Sequence, residues 1–317
     1  MSVQNFVQSR KIVEAKEKGL REKVMHLDKV CELIKDGDTL YIGGTYYSRT
    51  PMSMIWALIK RKKKNLTMIR TIACHEAELL AVSGVIKKII SSWIGIDAPP
   101  RTSRVLRKYI EQGILEYEEW GHSDLAYRLL GGMLGVPFLP SLSMMGSDLC
   151  KQLNVVDYVS PFTNEKVLLI PSLFPDVTIV HAHKADSYGN AQIFGMKYVD
   201  KEAALAANKV IITCEEIVSS NKIRETPEKT IIPYFCVDAV VEAPFGCFPH
   251  ECQYRYECDL EHITEYSRLS LEKEEDYVNR YLEQYVYSTD TFLEYLDKFR
   301  PNSIINSVMR MRKILWG

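Results

Sequence analysis

Residues 176–183 read DVTIVHAH, and they are followed by DKEAALAAN at 200–208 and KVIITCEEIV at 209–218. The outer two are short apolar runs that predict strands, and the middle one predicts a helix. Strand, helix, strand in that order is the unit from which parallel sheets are built. The pattern continues towards the N-terminus. HLDKVCELIKDGDTLYIGG (26–44) reads as helix, turn and strand: Asp28 caps, Val30, Leu33 and Ile34 form one face, DGD stops the helix, and TLYIGG is a short buried strand. A helix over 51–63 opens at Pro51, a favoured first-turn residue. NLTMIRTI (65–72) and VIKKIISSWIG (85–95) are strands, SRVLRKYIEQG (103–113) is a helix, and VPFLPSL (136–142) is a strand. Such alternation predicts an α/β fold, a mainly parallel sheet covered by helices, with its site at the carboxyl ends of the strands.

Both ends of the chain depart from this pattern. Residues 1–25 are polar and helical in pattern, a surface arm. The tail EKEEDYVNRYLEQYVYSTDTFLEYLDKF (272–299) is acidic and amphipathic, and Tyr277, Tyr281 and Tyr285 recur on one helical face. A stripe of that kind predicts packing against the body. With no internal repeat and no linker, residues 26–317 form one domain with helical extensions.

The chain has 317 residues, 46% hydrophobic and 26% charged, with 40 basic against 41 acidic side chains. A net charge of -1 gives no global attraction for nucleic acid or an anionic membrane. No charged-then-apolar leader opens the chain, and no run approaches the roughly 18 apolar residues of a membrane span. Eight cysteines without that leader predict free thiols in the cytoplasm. Cys247, Cys252 and Cys258 with His250 lack the close C-x-x-C pairs of structural zinc sites. His181 and His183 share one face of a strand but have no third ligand nearby in sequence, so packing is expected of them and no metal.

Few segments announce chemistry. YIGGTYYSRTP (41–51) sets Gly43 and Gly44 after a strand, where glycines make a tight turn or let amides approach a ligand. It matches neither a Walker loop nor G-x-G-x-x-G. Lysines and arginine at 60–64 sit at a helix C-terminus, where the dipole favours cations. EEWGHSDLAYRLL (118–130) places His122 where a helix begins: the apolar ladder starts at Leu125, and Ser123 or Asp124 would cap. No G-x-S-x-G elbow occurs, and no Cys/His pairing marks a nucleophile.

Longer strings carry more. DGDTLYIGGT (36–45), VPFLP (136–140), AHKADSYGNA (182–191) and IPYFCVDAVVEAPFGCFPHEC (232–252) stand in an order that resembles the α subunits of family I CoA-transferases. The likeness is strongest to the glutaconate CoA-transferase branch, from about residue 28 to 300 of the 317. The resemblance implies ping-pong transfer of CoA between acyl thioesters and small carboxylic or dicarboxylic acids. In such enzymes a β-subunit glutamate attacks the thioester and becomes a glutamyl-CoA thioester. No matching S-E-N-G-like motif is present here, so a β subunit is the expected partner. CoA thioesters are the substrates, and no cofactor is permanently bound. His122 falls where the family carries glutamine, an apparent oxyanion donor, and where a related hydrolase branch carries glutamate. Histidine there implies either a neutral N–H donor or a base. Gly43, Gly44 and Thr45 match the family's glycine loop, with Thr45 in place of a frequent phenylalanine. Ser48 and Arg49 follow, and Arg49 either pairs with a substrate carboxylate or supports the loop. Gly146 and Ser147 in MMGSDL (144–149) are candidates to line the pocket. An acyl-CoA hydrolase or decarboxylase-like subunit is the rival on the same fold. A non-catalytic ligand-binding protein is the rival of another class, although 25 N-terminal residues are too few for a helix-turn-helix.

Overall fold

The computed structural model of the chain describes residues 6–96 and 101–316. A seven-stranded sheet forms its centre: β1 (Thr39–Ile42), β2 (Leu66–Ile69), β3 (Ile86–Ser91), β4 (Glu116–Glu119), β5 (Val177–Ala182), β6 (Lys209–Cys214) and β7 (Ala239–Glu242). Their spatial order is β7-β6-β5-β1-β2-β3-β4, and all six neighbouring pairs are parallel. The chain starts at the centre, builds outward to β4, then returns to the other side of β1. Beside β1 and β5, connections therefore leave in opposite directions, which opens a crevice at the strands' carboxyl ends.

Near-continuous apolar runs form these strands because both sheet faces are covered. Leu40 and Ile42 face one cluster and Tyr41 the other; Met68 and Ile69, and Ile89 and Ile90, divide the same way. The first face packs helices Met52–Lys60, His75–Val82, Arg104–Glu111 and the long Leu260–Tyr281. The second carries Leu125 and Leu129 of helix His122–Leu134, and Ala203 of Asp200–Ala206.

Several elements differ from the expectation. The helix near residue 28 is a single turn, Leu27–Val30, running into a 3-10 turn, Cys31–Leu33. Asp28 does not cap it; its carboxylate pairs with Arg61 at 2.6 Å. The next helix starts at Met52 rather than Pro51 and ends at Lys60. VPFLPSL does contain a strand, Phe138–Ser141, but outside the main sheet. It pairs antiparallel with Lys166–Pro171, which also pairs with Val156–Val159, in a three-stranded flap. Proline cannot donate to a ladder, and the proline-bearing strand takes an edge of that flap.

The arm begins with helix Phe6–Ala15; its first five residues lie outside the described ones. It is pinned by Lys16 Nζ, 2.6 Å from Asp238, and by a parallel bridge between Val24 and Val240 that covers the β7 edge. At the other end Tyr281 and Tyr285 stack at 4.3 Å, and Tyr281 is buried against Tyr266, so the tyrosine stripe is core. Among the described residues no helix is long and apolar enough to cross a membrane.

Candidate active site

Four strands deliver side chains to one rim. β1 leads to Thr45, β2 to Thr71, β3 to Ser91 and Ser92, and β4 to Gly121 and His122. Thr45 Oγ1 lies 3.0 Å from Thr71 Oγ1. Ser91 and Ser92 both donate to the Thr71 carbonyl, at 3.1 and 2.5 Å, and Ser92 Oγ lies 2.9 Å from His122 Nδ1. Thr71 is buried, Ser92 half-buried and His122 exposed, so the relay runs from the interior out to an accessible imidazole. Sequence reading picked out Thr45 and His122 but missed Thr71 and Ser92. Their one signal was position, directly after predicted strands.

His122 is the first residue of its helix, as expected, but neither Ser123 nor Asp124 caps it. Gly121 is the N-cap and provides no side chain. Asp124 is buried and accepts from Ser141 Oγ at 2.6 Å and from Ser143 Oγ, which ties the loop after Phe138–Ser141 to this first turn. Gly121 N meets Met144 Sδ at 3.4 Å on the same loop. Gly146 and Ser147 therefore stand on a loop anchored beside His122. Gly146 has a φ of +80° in open space, and Ser147 Oγ accepts from Leu149 N at 3.1 Å.

The glycine loop is scaffolding. Gly43 N donates to Ile179 O at 2.8 Å and Gly44 N to Asp200 Oδ1 at 2.9 Å. Thr45 and Ser48 exchange backbone hydrogen bonds at 3.1 and 2.9 Å. A Cβ on Gly43 would sit 2.8 Å from Ile179 O; on Gly44, at φ +70°, it would sit 2.1 Å from Ser48 O. Both amides are thus engaged within the protein, and both glycines are required by close packing. Arg49 is fully buried and gives NH1 to Asp200 (2.7 Å) and the His181 carbonyl (3.2 Å), and NH2 to the Met196 carbonyl (2.8 Å). Both terminal nitrogens of its fork are thus engaged within the protein, Nε alone lacking a partner among the described residues, an arrangement that favours the loop-support reading.

His181, Glu215 and Cys252 bring three potential ligand atoms within 4.8 Å of one another, in the interior. His181 Nε2 is 2.8 Å from Glu215 Oε1, and Nδ1 is 2.9 Å from Thr213 Oγ1. Burial disfavours the imidazolium, yet hydrogen bonds to Cys252 and Glu215 outweigh it and hold the pKa of His181 at about 9. Cys252 is pulled well below its ordinary value, against its burial, by Cys247 and both imidazoles of 181 and 183. A proton-shared cluster results. His183 lies one residue past the end of β5, not within the strand as expected; its Nε2 is 2.6 Å from the Gln253 carbonyl while Nδ1 accepts from Phe194 N. The basic run at 60–64 is used locally, Lys63 Nζ reaching Ile34 O at 2.6 Å.

A parallel, doubly wound sheet with a polar rim at its carboxyl ends defines an α/β protein of the class whose small-molecule sites lie at that rim. The coenzyme A transferase family matches residues 24–243, and the chain belongs to that family of enzymes. It is 31% identical to the A subunit of glutaconate CoA-transferase from Acidaminococcus fermentans, over 90% of this chain and 94% of that one. To the A subunit of 3-oxoadipate CoA-transferase from Pseudomonas knackmussii it is 32% identical, over 86% of this chain and 95% of the relative. The crystal structure of the Acidaminococcus fermentans enzyme superimposes with a TM-score of 0.84, covering 90% of this chain and 95% of that one. That of the decarboxylase AibA/AibB gives 0.73 at 29% identity, covering 83% and 100%.

Proposed function

We propose that this chain is the α subunit of a cytoplasmic, heteromeric CoA-transferase that moves CoA between acyl-CoA esters and small carboxylic acids, dicarboxylic acids among them. The likeness to the A subunits of two such transferases, over nearly their full lengths, carries this reading. The rim is consistent with it: Asp200 and Asp124, two carboxylates beside it, are both buried in hydrogen bonds. The nucleophilic glutamate then comes from a β subunit docked over the rim, and this chain contributes His122, Ser92 and the loop bearing Gly146 and Ser147. All eight cysteines are free thiols, in keeping with a reducing compartment.

A trap for the covalent intermediate tests the division of labour. The complex is incubated with acetyl-CoA or glutaryl-CoA, treated with borohydride, and both subunits are weighed. Reduction of the glutamyl thioester is expected on the partner subunit. A reduced carboxyl on this chain refutes the reading.

A further inference from the structure

Proton counting along the rim goes further. A hydroxyl carries one proton and two lone pairs. The Ser92 proton is committed to the Thr71 carbonyl, an oxygen that only accepts, at 2.5 Å. Ser92 Oγ therefore faces His122 Nδ1, 2.9 Å away, with a lone pair, and Nδ1 bears the ring proton. A neutral imidazole has one N–H, so Nε2 of His122 is left bare. The oxyanion donor implied by family glutamine needs a proton on the outward nitrogen. The neutral ring does not have one.

We infer that His122 is a proton acceptor at Nε2, that Ser92 positions it by fixing its tautomer, and that the assembled enzyme therefore hydrolyses acyl-CoA alongside transfer. The inference rests on the transferase reading for its substrate and its partner. In the step, Nε2 takes a proton from water as the water oxygen bonds to the thioester carbonyl carbon. The C–S bond then breaks, and the CoA thiolate takes that proton from the imidazolium. Carboxylic acid and free thiol result, with no oxidant or reductant involved. Ser92 also lines a cleft of about 310 Å³ with Trp93, Ile94, Ile110 and Tyr117, and so links the imidazole to that cleft. The charged and titratable groups lining that cleft are Arg107, Glu111, Tyr117 and Glu119, and Asp124 stands in the first turn of the His122 helix.

The test measures free-thiol release from acetyl-CoA and glutaryl-CoA by the complex with no acceptor acid, and transfer in parallel with one. Release is expected in the absence of acceptor acid. His122→Gln should lower release about 100-fold or more, because an amide takes no proton at neutral pH. Ser92→Ala should lower it about 10-fold by freeing the tautomer, and Ser92→Thr, which restores the hydroxyl, should recover it. Transfer without thiol release overturns this inference and leaves the transferase reading standing. Thiol release without transfer does the reverse. Release that His122→Gln leaves unchanged overturns the base role outright.

Discussion

Asp200 holds the centre of the crevice together. One oxygen accepts from Gly44 N and from Tyr41 OH, and the other takes the buried guanidinium of Arg49. Removing one partner of a buried pair leaves an uncompensated charge, at about 3–5 kcal/mol. Asp200→Ala should therefore lower unfolding free energy by about that much in urea titration; a loss below about 1 kcal/mol contradicts the scaffold role. Sequence reading left Arg49 open between substrate and loop, since a basic residue after a strand looks alike in both. Its partner Asp200 lies 151 residues away, and only the fold reveals the pairing. The position of His122 at a helix start was legible from the apolar ladder. Its tautomer was not, because Thr71 and Ser92 are short hydroxyl residues without a signature.

Among the elements, the strands of the central sheet were largely legible because both faces are buried and the runs are apolar. β4, Glu116–Glu119, was missed for the converse reason: three of its four residues are glutamates, and it forms an edge. The flap was misplaced because a proline-bearing run read as one more strand of the parallel series. The layer between the first-face helices and the C-terminal helix carries a different lesson, three buried histidines. His75 and His250 lie 3.2 Å apart, and His262 Nε2 lies 2.9 Å from Tyr281 OH. Burial holds the first two well below 6.5 and His262 at about 4, with Arg70, Arg300 and the neighbouring imidazoles adding to it and Asp259 opposing. Tyr266 and Tyr285 are the other titratable rings against them. A histidine depressed by folding binds its proton more readily when unfolded, so stability falls as pH drops from 6.5 towards 4. His262 alone contributes on the order of 2 kcal/mol of that loss at pH 5. Glu76 and Glu78, raised by burial, work in the opposite direction near the bottom of the window. The urea midpoint should be lower at pH 5 than at pH 7; an equal or higher midpoint contradicts neutral burial of these rings.

Between β5, β6 and the segment around Cys252, a second expectation concerns metal. Two ligand atoms on one tetrahedral zinc stand about 3.3 Å apart, given bonds of about 2.0 Å. The 2.8 Å from His181 Nε2 to Glu215 Oε1 is a shared proton's distance, not an ion's. Elemental analysis of the purified protein should find far less than one metal per chain, and chelator should leave activity unchanged. About one zinc per chain would identify His181, Glu215 and Cys252 as ligands instead.

For the whole molecule, the doubly wound order could be anticipated in class from strand–helix alternation, but strand order is a property of the closed sheet. The rim at its carboxyl ends gathers hydroxyls and one imidazole, while Asp200 and Asp124 beside it are committed to structure. Half of a two-subunit active site has this appearance. The most direct measurement is the initial rate of CoA transfer from acetyl-CoA or glutaryl-CoA to other carboxylic acids, by this chain alone and after addition of its β subunit. The chain alone should transfer nothing, and the complex should show parallel double-reciprocal lines, as ping-pong exchange requires. Robust ping-pong transfer by the isolated chain, or none by the complex, would contradict the account.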